Sequence, residues 1–581
     1  MNKVVTLIVL VTSLFSCVEK RDLTQNTVIS HIGVVPESLH PLNKSSSSKK
    51  IIQYYTQKYI HITDVRNFKQ IPILAKALPD TVGDLKTYSF ELIEKAKWDD
   101  GTPILGKDVV FSVKMLICPL TNNPGHRSIY SVVFDDVWVD ADNPRKVFYK
   151  SKELDYGAKE IFQEICILQK SFWDKNGIVD SIPIKGIERH VFTQEEKRWF
   201  ENFNGHEYSF QPSKIVGAGQ YQVSEYKIGS HVTLVKKKNH WTEGDTCLFN
   251  QAHPDKIIFR EINDPTAIKL ALMNQKLDAV FSIGTKTVSK LNKKDYFREN
   301  YYTVDKNRFV YSYLGLNMKP DASKYKPLFV NQKVRRAFAH AVPVDEIINI
   351  VYKGNASRQV SNTSPFNYRY NKSLQPIEYD IEKARKLLAE AGWVDTDGDY
   401  ILDKKINGKK VDFEFKFSYM TGGSGPKEIF LMIKESLKKV GIIAVGNPME
   451  FSTFYNNAQK HDFQVMAGGW ASGSSYSNPD QLWSVANWEN QGYNFTGFGD
   501  ASSDSLIKEI NININEEKHL QAHRAFQKRL YDEQPYVFLI SPKKSLVIHN
   551  RFENPVGYME DPSILLNTLK LKAEFKQIKE N

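Results

Sequence analysis

The apolar pattern between residues 380 and 470 restricts the fold of this chain more than any other sequence feature. Apolar residues first recur at helical spacing from Ile381 to Ala391, behind the N-cap Asp380. From Val411 to Phe417 they alternate with polar residues, which indicates a strand. The predicted elements that follow this strand are a helix at 426–440, a strand at 442–445, a short helix at 452–459 and a strand at 463–467. This order predicts a parallel sheet with right-handed crossovers.

The segment after the last of these strands is a candidate binding loop. It runs from Gly468 to Asp480 and places small, flexible residues around Trp470 and Tyr476. Ligands of α/β sheets bind beyond the carboxyl ends of the strands, so the loop could offer N–H groups, hydroxyls and an aromatic platform. A surface loop in which Trp470 plugs the core fits the local sequence equally well.

The composition is that of a globular protein. Of 581 residues, 41% are hydrophobic and 25% are charged, which excludes a mostly disordered chain and a polytopic membrane protein. The length corresponds to about three to four domains. The net charge of +11 comes from short, scattered lysine groups, so solvated faces are favoured over nucleic-acid binding. The motifs GxxxxGK followed by Ser or Thr, HExxH and GxSxG are absent from the sequence, which shows no sign of ATP hydrolysis.

The N-terminus has the pattern of a targeting signal. The apolar run Val4–Phe15 follows Lys3 and is too short to span a bilayer, as expected for a secretory signal. Cys17 closes the sequence Leu14-Phe15-Ser16-Cys17, which resembles a bacterial lipobox. We therefore expect a signal peptide at 1–16, lipid on Cys17, a tether at 17–29 and a place in the cell envelope, on the periplasmic or another extracytoplasmic face. An ordinary signal cleaved nearby is the alternative.

The cysteines and the acidic turn do not define a disulfide or a metal site. Cys118, Cys166 and Cys247 allow one disulfide and one free thiol, and the sequence leaves their pairing open. The acidic turn Asp395–Asp403 has carboxylates at alternate positions, as in a calcium loop. It has Tyr400 where an EF-hand needs Gly, so a structural hairpin is favoured and no metal is expected.

Short segments from about residue 30 to residue 550 carry a family resemblance. They are Val35–Pro41, Trp98–Pro103, Lys107–Ser112, Gly217–Tyr221, Lys238–Trp241, Asn331–Phe338, Asp380–Gly392 and Gly469-Trp470. In this order they resemble the extracellular solute-binding proteins of family 5, which are the peptide- and nickel-type binding proteins of ABC importers.

The resemblance implies an α/β, two-lobed periplasmic-binding-protein fold with an additional sub-domain, mixed sheets and a ligand cleft between the lobes. The expected divisions are lobe I at 30–61, 198–264 and 534–581, sub-domain Ib at 62–197, and lobe II at 265–533. Polar breaks place the expected hinges near Asp264–Ile268 and Asp532–Tyr536, because hinges commonly lie at the ends of elements.

The resemblance also implies a function without catalytic residues or cofactors. A lipid-anchored, monomeric receptor would capture a peptide-like or other small solute and deliver it to the permease and ATPase subunits of an ABC importer. The alternative is a secreted hydrolase with a noncanonical active site. A carbohydrate-gathering lipoprotein with an all-helical core disagrees with the strand pattern at 411–417.

The predicted ligand-binding residues lie in two loops. They are Trp470, Ser472, Gly473, Ser474 and Asn478 in the candidate binding loop, and Asn43 and Ser45 near the N-terminus. In peptide-binding members of the family, an Asp three residues after the Trp pairs with the peptide's α-amino group, and this chain has Gly473 there. A buried ammonium without a partner is costly. Unless another acid such as Asp480 substitutes, we expect weak binding of free peptides. The expected ligand is then N-blocked, neutral or sugar-like, stacked on Trp470 and held by Ser472, Ser474 and Asn478.

Overall fold

The computed structural model describes residues 21–43, 46–321, 323–421, 425–471, 473–474, 478–490 and 492–576. The predicted signal peptide and three of the predicted functional residues, Cys17, Ser45 and Ser472, lie outside these ranges. Within them, the helices are all too short or too polar to cross a bilayer.

A seven-stranded mixed sheet unites both ends of the described chain. Its strands, in spatial order, are Tyr301–Lys306, Lys544–His549, Ala279–Ile283, Thr27–Ile32, Lys256–Glu261, His231–Lys236 and Tyr221–Lys227. Thr27–Ile32 runs parallel to both of its neighbours, and the other pairs are antiparallel. The helix Ser47–Thr56 covers one face, where Ile52 and Tyr55 join the apolar core. This sheet is the centre of lobe I.

A five-stranded sheet forms the centre of lobe II. Its spatial order is Ile443–Met449, Glu414–Met420, Val465–Ala471, Val310–Leu316 and Tyr536–Phe538. The first three strands are parallel, and the helices Gly425–Lys438 and Phe451–Gln459 connect them. The predicted order of strands and helices between residues 411 and 467 is therefore confirmed. The two remaining strands pair antiparallel, which makes this sheet mixed as well.

Local signals explain why these elements begin and end where they do. The Asp380 side chain accepts the N–H of Lys383 and starts the helix Ile381–Glu390. Asn407 and Gly408 have φ values of 50° and 78°, which suits a two-residue turn between paired strands. The predicted N-cap and hairpin turn are both confirmed.

A third unit, sub-domain Ib, contains a four-stranded antiparallel sheet. Its strands, in spatial order, are Asp80–Val82, Asp84–Glu91, Lys146–Ser151 and Phe134–Val139. The helix Gly106–Ile117 packs beside this sheet, and Phe111, Val113 and Met115 contribute to an apolar core in which Trp199 and Phe200 also lie.

The Trp98–Pro103 segment has a structural role in this sub-domain. Gly101 has a φ of 81° in a tight turn, where the Trp98 N–H donates to the Thr102 carbonyl at 2.8 Å. The Trp98 indole Nε1 donates to Asp108 Oδ2 at 3.3 Å. That same oxygen accepts the backbone N–H of Leu105 at 2.9 Å. The two family-like motifs around Trp98 and Asp108 therefore stabilise one turn and one helix start.

The longer helices complete the three units. They are Ser47–Thr56, Gly106–Ile117, Gln194–Phe203, Pro265–Met273, Gln332–Ala341, Ile381–Glu390, Gly425–Lys438, Phe451–Gln459, Ala501–Ile512 and Glu516–Glu533.

Two short crossings join the seven-stranded and five-stranded sheets. The chain leaves the first sheet at Lys306 and enters the second at Val310, and it returns between Pro542 and Lys544. Strand pairing thus assigns residues 279–306 to lobe I and residues 536–542 to lobe II. The boundaries predicted at 264/265 and 533/534 instead placed residues 279–306 in lobe II and residues 536–542 in lobe I.

The predicted boundaries differ from the strand pairing because both of them lie at helix ends. Asp264 accepts the N–H groups of Thr266 and Ala267 and caps the helix Pro265–Met273. Gln534 ends the helix Glu516–Glu533 in a left-handed conformation with a φ of 50°. A polar residue beside a proline marks a helix end as readily as a linker, so the expected hinges move to residues 307–309 and 543.

Candidate functional site

Trp470 is the second-last residue of the strand Val465–Ala471 and lies at the carboxyl end of that strand. Its ring stacks on Phe495 at 5.7 Å between centroids and lies nearly parallel to Tyr313 at 6.5 Å. Its Nε1 donates to the Tyr536 hydroxyl at 3.3 Å. Trp470 is only partly buried, so it is packed on the core and still presents surface to a cavity.

This first cavity has a volume of about 70 Å³ and contains three of the predicted residues, Trp470, Gly473 and Asn478. Its other polar lining residues were not predicted from the sequence. They are Asn362, Thr363, Ser364, Asn367, Arg369 and His523. Most of them belong to the Ser-, Asn- and Tyr-rich stretch 361–371, whose polar composition between two periodic segments is the signal that could have identified it.

Ser474 is buried, and its backbone holds the loop in place. Its carbonyl accepts Asn367 Nδ2 at 3.2 Å and Arg369 Nη1 at 3.3 Å. Its N–H donates to Glu560 Oε2 at 3.0 Å. Glu560 belongs to the segment after the strand Lys544–His549, so this bond joins lobe II to lobe I.

A second contact across the cleft joins lobe II to sub-domain Ib. Arg369 lies 3.8 Å from Glu160, and its guanidinium faces the rings of Tyr368 and Tyr156. The Tyr156 hydroxyl donates to Glu516 Oε2 at 2.6 Å. Arg369, which lines the first cavity, is thus also in contact with the sub-domain.

Asn43 lies on the lobe I side, beside a second cavity of about 60 Å³. Its carbonyl accepts the ammonium of Lys49, which lines that cavity together with Tyr54 and Cys166. Burial lowers the pKa of Lys49 to about 8. Asn43 and Trp470 therefore flank different cavities. The segment 560–561 contacts a residue near each cavity: Glu560 accepts the N–H of Ser474, and the Tyr54 hydroxyl donates to the Asp561 carbonyl at 3.2 Å.

The cysteines and the acidic turn Asp395–Asp403 lie outside the two loops that were predicted to bind the ligand. Cys118, Cys166 and Cys247 are free thiols, and burial raises the pKa of Cys166 to about 11. In the acidic turn, oxygens of Asp395, Asp397 and Asp403 lie within 4.8 Å of one another. The ammonium of Lys410 pairs with Asp397 and lies 3.7 Å from Asp403, so a cation of the chain itself compensates these charges.

The sequence matches one family model over most of its length. Residues 69–493 match the bacterial extracellular solute-binding proteins, family 5. The oligopeptide-binding protein AppA of Bacillus subtilis is 26% identical over 499 residues, which cover 84% of this chain and 81% of AppA. The dipeptide-binding protein DppE of the same organism is 22% identical, with 82% and 80% coverage.

Solved structures have the same fold. The structure of AppA from Bacillus subtilis in complex with a nonapeptide superposes with a TM-score of 0.67 at 22% identity, covering 94% of this chain and 99% of AppA. NikA from Brucella suis in complex with Fe(III)-EDTA gives a TM-score of 0.74 at 19% identity, covering 94% and 100%. The two-lobed α/β fold with mixed sheets is thus confirmed, and the chain belongs to the bacterial extracellular solute-binding proteins of family 5, the substrate-binding proteins of ABC importers.

Proposed function

We propose that this protein captures a peptide-like solute between lobe I and lobe II and delivers it to an ABC permease. The observation that carries the proposal is the first cavity. It lies at the carboxyl end of the strand Val465–Ala471, where α/β sheets bind ligands, and it combines Trp470 with several polar side chains. The oligopeptide-binding relative AppA supports a peptide as the class of solute.

The cavity lining suits amide-rich ligands. Asn362 and Asn367 each offer one carbonyl and one NH₂ group, which match the N–H and C=O groups of a peptide. The Trp470 ring provides an apolar surface for a side chain of the solute. The two short crossings at 307–309 and 543 allow the lobes to close as rigid bodies around it.

We further propose a lipid anchor on Cys17 that keeps lobe I close to the membrane. Arg21 pairs with Asp278 at 2.5 Å, and the first strand begins at Thr27. The four residue-to-residue steps from Cys17 to Arg21 span at most roughly 14 Å when extended. A solute-binding lobe held this close would remain beside its permease. In this proposal the protein acts as a monomer.

The function is tested with protein purified from its own cells. Native mass spectrometry should detect one co-purified small solute per chain, unchanged in mass after prolonged incubation. Calorimetry against di- to pentapeptides should then identify binding, and small-angle scattering should show compaction at saturation. A solute that the protein converts to another mass would instead favour the hydrolase.

The anchor is tested separately with Cys17→Ala. This change should release soluble or uncleaved protein, because no thiol remains to accept the lipid. A cleaved Cys17→Ala chain that still fractionates with membranes would exclude the lipoprotein.

A further inference from the structure

A third cavity, of about 830 Å³, lies between lobe I and sub-domain Ib. Its lining comes from the segment 95–101 of the sub-domain and from Gln222 and the segment 235–241 of lobe I. It shares no lining residue with the first or the second cavity. Its described lining includes five lysines and one acid, Asp99, so the cavity is strongly basic.

Two of the five lysines are free to bind an anion. The other three form ion pairs: Lys237–Asp99 at 2.8 Å, Lys95–Asp245 at 2.9 Å and Lys236–Asp255 at 3.5 Å. Lys97 and Lys238 are exposed and form no ion pair with any acid in the part of the chain that the structure describes. Lys238 also lines an adjoining fourth cavity of about 520 Å³, to which Glu243 contributes without pairing with it.

The third cavity lies at the end of the seven-stranded sheet where the described chain begins. Across this sheet, Thr27 pairs with Lys256, which pairs with Val235, which in turn pairs with Gln222. Val235 and Gln222 line the cavity. Neighbouring strands are about 4.8 Å apart, so Thr27 lies about 10 Å from Val235 and about 15 Å from Gln222. Arg21 donates to the Thr27 carbonyl at 3.2 Å, which keeps the start of the tether at the same end.

A second contact places the N-terminus beside the fourth cavity. Asn26 Nδ2 donates to the carbonyl of His253, which lines that cavity, at 2.9 Å. Burial, and then the charges of Lys570 and Lys236, lowers the pKa of His253, and Glu553 offsets this in part. Lysines from separate segments of the chain therefore surround the point at which the tether leaves lobe I.

We propose that the third cavity and its rim bind the phosphate groups of anionic phospholipids in the membrane that carries the anchor. The inference rests on the proposed function, because lipid on Cys17 brings this end of lobe I to the head groups. Lysine ammonium groups donate to phosphate oxygens and are attracted to anionic bilayers. The tether limits the distance of lobe I from the bilayer, and this second point of attachment fixes the orientation of the lobe.

The test is co-sedimentation of the protein with lipid vesicles. The parent protein is the chain from residue 17 onward with Cys17→Ala, which cannot be acylated and contains every residue that the structure describes. One double variant adds Lys97→Gln and Lys238→Gln. The control adds Lys405→Gln and Lys409→Gln, two exposed lysines in a hairpin of lobe II, and loses the same charge. The vesicles contain either equal parts of phosphatidylglycerol and phosphatidylcholine or phosphatidylcholine alone.

We expect the parent and the control to bind the anionic vesicles at about 0.1 M salt and to lose this binding at about 1 M salt, where charges are screened. Neutral vesicles should be bound at least about 10-fold more weakly. A lysine near an anionic surface contributes about fivefold in affinity, so the variant of Lys97 and Lys238 should bind anionic vesicles about 10- to 30-fold more weakly than the control. Thermal unfolding should be the same in all three proteins, because the exchanged side chains are exposed and unpaired.

Equal binding of the two kinds of vesicle by the parent, or an equal loss in the two double variants, would overturn the inference. Calorimetry with glycerol 3-phosphate distinguishes a soluble anion from a membrane. If the parent binds this compound through Lys97 and Lys238 but does not bind the vesicles, the cavity is a site for a soluble anion and the inference is wrong.

The anchor and the lysine contact fail in different measurements. Because the lysines alone can hold some Cys17→Ala chain on membranes at low salt, the fractionation test of the anchor is made at about 1 M salt. Retention of the cleaved Cys17→Ala chain under that condition excludes the lipoprotein. A wild type that stays on membranes at about 1 M salt, together with a parent chain that ignores anionic vesicles, overturns the lysine contact alone.

Discussion

The ring of Tyr156 in sub-domain Ib stacks on His519 of lobe II, with 3.5 Å between the ring centroids and 9° between the ring planes. Burial, and then the charge of Arg369, lowers the pKa of His519 to about 4. The contact between the two units therefore depends on a neutral imidazole.

Closure of the cleft should depend on pH. A His whose pKa is lowered from its ordinary value of about 6.5 stabilises the contact fully above pH 6.5. That stabilisation is lost as the pH falls towards 4, since Arg369 repels the imidazolium and Glu516 offsets this only in part. Fluorescence energy transfer between labels on the sub-domain and on lobe II should report opening across this range.

The control for closure is His519→Phe, which keeps a ring against Tyr156 and cannot be protonated. This variant should remain closed at pH 5. If it opens as the wild type does, another group, such as the buried neighbour His523, controls the transition.

Trp470→Ala should weaken ligand binding by about 30-fold or more. The ring forms one wall of the first cavity, and its loss removes apolar contact area as well as the hydrogen bond to Tyr536. Truncation of a buried aromatic contact commonly costs 2 kcal/mol or more, about 30-fold in affinity. Trp138→Ala is the matched control, because Trp138 is 37% exposed and stacks on Phe148 in the sub-domain. Equal affinities of the two variants would place the site elsewhere.

Asp278→Ala should destabilise lobe I by about 3–5 kcal/mol in chemical denaturation, because it leaves a buried guanidinium without its partner. Asp278 is fully buried, and its carboxylate accepts Arg551 Nε at 2.8 Å and the Ile29 N–H at 2.7 Å. Glu382→Ala breaks the exposed pair with Arg385 and should cost less than about 1 kcal/mol. A similar loss in both variants would contradict this account.

Gly219→Ala should destabilise the protein by about 1–3 kcal/mol. The Gly219 N–H donates to the Thr56 carbonyl at 3.1 Å, and a Cβ at this position would overlap the backbone of Tyr55 and Thr56. Gly125→Ala is the control, since a Cβ there meets no atom within 4 Å, and it should be nearly neutral in thermal unfolding. If Gly219→Ala left the stability unchanged, the end of the helix Ser47–Thr56 could move away from the added Cβ without cost.

Local signals in the sequence determined the secondary structure of lobe II. Asp380 caps a helix, Asn407-Gly408 forms a turn, and strands alternate with helices in the predicted order. These features depend on residues only a few positions apart, because helix caps, turns and apolar periodicity are local and require no long-range contact. The third of the predicted strands ends at Ala471, four residues later than predicted, so Trp470 belongs to the strand and not to the loop.

The assignment of strands to sheets and the composition of the cleft were decided only by the tertiary structure. Strand Ala279–Ile283 pairs with Lys544–His549, and the Glu560 carboxylate meets the backbone of Ser474. Nothing near Gly473 in the sequence indicates that a carboxylate 86 residues beyond its neighbour approaches the loop. Such pairings follow from how the lobes pack and which buried charges then require a partner, and these are properties of the assembled fold rather than of any segment.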